Sequence, residues 1–96
     1  MNREDVRFHI LKILREQPNY TTNQEVLLAA LRNAGHAMNR DQLKIELAWL
    51  SANADAVLDT ACQGVHIATL TMEGLEALEG TRAIPGIRRP LPGETG

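Results

Sequence analysis

Between residues 38 and 50 the chain reads MNRDQLKIELAWL, in which Arg40, Gln42 and Lys44 carry donors suited to phosphate oxygens and to the acceptor edges of bases. They fall in the opening turns of a helix that Asn39 would cap, where recognition helices make their base contacts. The same stretch sets Asp41 and Glu46 against Arg40 and Lys44, so its net charge is zero. A solvated face whose charges merely neighbour one another is therefore the competing reading, with each pair contributing little. Ile45 argues against a purely solvated face. An outward isoleucine suits a thymine methyl or a protein partner better than water. Trp49 more naturally seals the edge of a core.

A second basic group, Arg88 and Arg89 within IPGIRRPLPG, has the chemistry to follow a phosphate backbone or an anionic partner, the alternative being a soluble tail. Other reactive side chains are less suggestive. Glu73, Glu76 and Glu79 repeat every three residues and read as a water-facing helical stripe, since general acid catalysis needs a pocket and a perturbed pKa. Cys62 is the single cysteine, and His9, His36 and His66 are scattered over three elements. No zinc-type Cys/His spacing and no phosphate-cradling GxxxxGK occurs. The expectation is therefore no enzyme, no metal and no cofactor.

A net charge of −2 weighs against nucleic-acid affinity spread over the whole surface, because that affinity comes from Lys and Arg displacing counterions. Charge is unevenly distributed. Residues 55–80 hold Asp55, Asp59, Glu73, Glu76 and Glu79 with no Lys or Arg, whereas residues 81–96 hold Arg82, Arg88 and Arg89 against Glu94. Any basic surface must be local. Ninety-six residues with 44 % hydrophobic and 23 % charged content suit one globular domain, and only three aromatics leave a core of Leu, Ile, Val and Ala. No apolar run approaches the ~18 residues of a membrane span, and MNREDVRF lacks the apolar stretch of a signal peptide. A cytoplasmic protein with no membrane contact is expected.

These residues need elements to position them. Val6, Ile10, Ile13 and Leu14 form one helical stripe over residues 3–17, stopped by Pro18. Phe8 and Leu11 fall off that stripe as a second apolar patch, which a symmetric homodimer would use. Thr22-x-x-Glu25 reads as a capping box for a second helix, with Leu27, Ala30, Leu31 and Ala34 inward and Gly35 as its left-handed stop. Asn39-x-x-Gln42 repeats the box for the third helix, with Leu43, Leu47 and Leu50 inward. AVLDT and VHIATL around ACQG read as a hairpin that leaves Cys62 exposed at its tip. Thr71 caps a short fourth helix ended by Gly80. The tail, with three prolines and three glycines in residues 81–96, forms no regular element.

Three helices, a two-stranded wing and a short fourth helix give a mainly α fold of winged helix-turn-helix type, with a domain over 1–80 and an irregular basic tail over 81–96. Through REDVRFHILKIL, YTTNQEVL, ALRNAGHAMNRDQL with LAWL, ATLT with Gly74, and IPGIRRP, the chain resembles a family of small winged-helix proteins of Mu-like transposable bacteriophages. In that family such genes lie near those of the terminase subunits, and some members are labelled regulators of the arsenical-repressor type. The resemblance implies a DNA-binding regulator or DNA-packaging accessory working in the host cytoplasm. Its partner would be double-stranded DNA, held through Arg40, Gln42, Lys44, Arg88 and Arg89. The Arg-poor, acidic wing departs from regulators that lay a basic wing on phosphates. The alternative is a winged-helix module that binds another phage or host protein and no DNA.

Overall fold

A computed structural model describes residues 2–93. Helix α1 spans Arg3–Arg15. Asn2 caps it by accepting from the Asp5 N–H, and Glu4 and Asp5 in its first turn and Lys12 and Arg15 in its last complement the helix dipole. A single 3-10 turn, Pro18–Tyr20, leads into strand β1, Thr21–Asn23, and then helix α2, Gln24–Asn33. The capping box expected at Thr22 and Glu25 is not formed. Asn23 caps α2 instead, accepting from the Val26 N–H, because the helix begins at Gln24, one residue later than a Thr22 cap requires.

Gly35 ends α2 at φ 95°, and the His36 N–H reaches back to the Leu31 carbonyl at 3.0 Å, a Schellman closure that fixes the turn into α3. Helix α3, Arg40–Ala52, opens with the complete Asn39–Gln42 capping box. Strands β2 (Val57–Cys62) and β3 (Val65–Leu70) meet through Gln63 and Gly64, both at positive φ, as a type I′ turn demands. Helix α4, Met72–Glu79, is capped by Thr71 and stopped by Gly80 at φ 83°.

The hairpin is not two-stranded. β1 pairs antiparallel with β3, placing Thr21 opposite Thr69 and Asn23 opposite Ile67, so the sheet runs β1-β3-β2. A three-residue strand carries too little alternation to be read from sequence. Among the described residues, four α-helices and a three-stranded antiparallel sheet make this a small mixed α/β fold.

The core is aliphatic, as composition demanded. Val6, Ile10 and Leu14 of α1, Leu27 and Leu31 of α2, and Leu43, Leu47 and Leu50 of α3 are wholly buried; Leu28 is nearly so, whereas Ala34 lies exposed. Phe8 and Leu11 are also wholly buried, which corrects their assignment to a dimer interface. Helix α1 is covered on more than one side, so its second apolar patch is core. Each such side chain contributes about 1.5–3 kcal/mol by leaving water.

Residues 81–93 hold no helix or strand, yet they pack on the same core. Ile87 is 5 % exposed and Ile84 lies against the buried cluster. The boundary placed at residue 80 therefore does not separate the described part of the tail from the body, and residues 94–96 lie outside the described residues. No helix of the described residues is long and apolar enough to cross a membrane.

Candidate functional site

Helix α3 presents Arg40, Asp41, Gln42, Ile45 and Ala48 outward while its leucines anchor the opposite side. Ile45 is 56 % exposed, and beside it Arg3, Gln42 and Glu46 complete a shallow groove. Lys44 is half-buried. Trp49 lies partly buried against the core with the Arg7 guanidinium 3.8 Å from its ring centre, so it seals an edge.

Two of the groups on this face are already engaged. Arg40 pairs with Glu25 of α2 through two contacts, Nε to Oε1 at 2.8 Å and Nη2 to Oε2 at 3.0 Å. That hydrogen bond from Arg40 holds the Glu25 carboxyl below the usual carboxylate range. Gln42 spends its side-chain oxygen on the Asn39 N–H at 2.9 Å. It can offer a ligand only its NH2 while that cap holds. Glu46, counted in the sequence as an outward charge, is 2 % exposed and held by two arginines of α1: Arg7 at 2.8 Å and Arg3 at 2.9 Å. Arg7 also donates to the Gly86 carbonyl at 2.9 Å, binding α1, α3 and the tail together.

The tail arginines both have partners within the protein, although Arg89 is exposed. Arg88 bridges to Asp5 of α1 and lies 4.1 Å from the Phe8 ring centre, and Arg89 donates to the Gly80 carbonyl at 3.2 Å. The expected alignment of Arg88 with a phosphate backbone conflicts with this inward pairing. Arg88 and Arg89 thus sit apart from the α3 donors in their contacts. Cys62 ends β2 beside the turn and is free and exposed. His66 pairs with Asp59 across the hairpin at 3.0 Å, and Glu76 pairs with Arg82 at 2.9 Å.

Sequence reasoning missed a second cluster. His36, in the turn after α2, meets His9 of α1 with Nε2 and Nδ1 2.8 Å apart, and Asp5 Oδ2 stands 3.7 Å from His9 and 3.9 Å from His36. Asp5 and His9 are i,i+4 neighbours, a spacing visible in the sequence, but nothing local places His36 beside them. Burial pushes the His9 imidazole below its usual pKa; Asp5 pulls the other way, and His36, Arg88 and Lys12 add to the lowering. Asp5 is itself held below the carboxylate range, chiefly by its hydrogen bond from Arg88, against some desolvation.

Over 89 residues the chain is 33 % identical to an uncharacterized protein, gp26, of Escherichia phage Mu, a match spanning 93 % of this chain and 91 % of that protein. It is also 27 % identical over 89 residues to an uncharacterized protein of Haemophilus influenzae, spanning 93 % of this chain and 84 % of the other. At such identities the chain is a relative of the Mu protein and not that protein itself. No family model matches the chain, and no solved structure matches it.

Proposed function

This chain belongs to the family of the phage Mu protein gp26, and from that footing we propose that it is a winged-helix DNA-binding protein, a regulator or DNA-packaging accessory acting in the host cytoplasm. It is a binding protein and no enzyme. The observation that carries the reading is the order α1-β1-α2-α3-β2-β3, in which a capped α2–turn–α3 unit presents the α3 opening outward beside a hairpin wing. The short strand β1 supports this reading, because it ties the wing back to the turn before α2.

Of the groups expected to reach DNA, Arg40 and Lys44 are the better placed. Arg40 and Glu25 are both well exposed, at 63 % and 50 %, so their pair is readily exchanged for a phosphate. Arg88 is held more firmly. Two phosphate contacts give a log–log salt slope of roughly −1.8 per monomer, so duplex binding is weak and collapses as salt rises. Anisotropy titrations of labelled duplexes at two salt concentrations test this. Lys44→Ala should weaken every duplex alike and flatten the slope. Undetectable binding at low salt, or binding untouched by removing Arg40 and Lys44 together, would reject the reading.

One observation favours a second reading, a protein-binding module. The exposed Ile45 sits on a face whose charges largely cancel, which suits a protein surface better than a polyanion. Ile45→Asp should then abolish capture of a phage or host protein while leaving the fold intact.

A further inference from the structure

We propose that Asp5, His9 and His36 form a binding site for a divalent transition-metal ion of the zinc class, a site independent of the α3 face. Imidazole nitrogens and a carboxylate oxygen are the donors such ions take. The three donor atoms lie within 4.8 Å of one another, and their separations of 2.8, 3.7 and 3.9 Å enclose a compact triangle. The point equidistant from the three atoms is about 2 Å from each, the length of a Zn–N or Zn–O bond. For tetrahedral angles at the ion all three separations must approach about 3.3 Å, so the two nitrogens part slightly and Asp5 Oδ2 draws in by about half an ångström.

The site is held from three directions before any ion arrives. Asp5 and His9 stand one turn apart on α1, whose neighbouring Val6, Phe8 and Ile10 are wholly buried. His36 is fixed by the Schellman closure on Leu31. Arg88 takes Asp5 Oδ1, which leaves Oδ2 toward the two rings. This is how a supporting residue orients a ligand carboxylate, although the cation beside it also limits affinity.

With the two ring nitrogens 2.8 Å apart, one donates a hydrogen bond to the other. A bound ion replaces the bridging proton: the donating ring moves its hydrogen to its other nitrogen, so that both lone pairs face the metal. The side chains are 12–31 % exposed, open enough for an ion to enter and for water to complete its coordination. Occupied, the site would clamp α1 to the turn that launches α3.

Titration of the full chain with zinc by calorimetry, and with cobalt by its ligand-field absorption, tests the site directly. We expect one equivalent to bind, with tetrahedral-type cobalt bands and a raised melting temperature. His36→Ala and Asp5→Asn should each weaken binding at least about tenfold, the scale on which even indirect supports of a metal site act. His66→Ala, on the hairpin, should leave binding unchanged. Asp5→Asn keeps the side-chain shape, so a circular-dichroism spectrum like that of wild type separates ligand loss from unfolding. Absence of uptake in excess metal, or uptake indifferent to both His36→Ala and Asp5→Asn, overturns the proposal.

Discussion

The Arg7 guanidinium donates to the Glu46 carboxylate at 2.8 Å, and both side chains are almost wholly buried. This pair crosses from α1 to α3 and, with Arg3 of α1 on the other Glu46 oxygen, sets the rotation of α3 about its axis, because both partners of the Glu46 carboxylate lie on α1. With Glu46 turned inward, Asp41, Gln42 and Ile45 turn outward. The face that any partner of α3 meets is thus decided by a buried contact at its edge.

Removing one member of such a pair strands the other. Glu46→Ala leaves Arg7 buried without its counter-charge, and we expect a loss of about 3–5 kcal/mol, read from urea denaturation at constant m-value. A loss under about 1 kcal/mol would mean that Trp49 and the Gly86 carbonyl suffice for Arg7.

Phe8 provides a test of core against interface. Phe8→Ala should cost about 3–5 kcal/mol of stability, as expected for emptying a buried aromatic site. Sedimentation at matched concentrations should show no change of oligomeric state in the fraction that remains folded. Dissociation of an assembly without loss of stability would return Phe8 to a surface.

At Gly74 helix propensity and packing oppose each other. Alanine favours a helix interior by about 1 kcal/mol over glycine, but a Cβ there would stand 2.3 Å from the Ala56 carbonyl oxygen and 2.7 Å from Leu70 Cδ1. Backbone at that distance cannot yield cheaply, and overpacking costs about 1–3 kcal/mol. Gly74→Ala should therefore lower the melting temperature, which thermal unfolding followed by circular dichroism checks.

Glu25 competes with any phosphate for Arg40. Because the hydrogen bond from Arg40 lowers the carboxyl pKa, the pair is intact at neutral pH and is lost only as pH falls through that lowered value. If α3 binds DNA, Glu25→Gln should raise duplex affinity severalfold at neutral pH, most visibly at low salt. An affinity equal to wild type would show that Arg40 takes no part.

The four helices and the hairpin were legible in the chain. Caps and turns act over about four residues, and helical stripes repeat over the same range, so Asn39 with Gln42, Gly35, Thr71 and the leucines of α3 announce their roles locally. The candidate site was legible only as a set of residue types. What each charge does was decided by partners far along the chain: Glu46 by Arg7 at a separation of 39, His36 by His9 at 27, and Asp5 by Arg88 at 83. The third strand depended likewise on β3, since three residues pair only when an edge is waiting for them. Local hydrogen-bonding and periodicity are written in neighbouring residues, whereas the burial and pairing of a charge depend on which surfaces the folded chain brings against it.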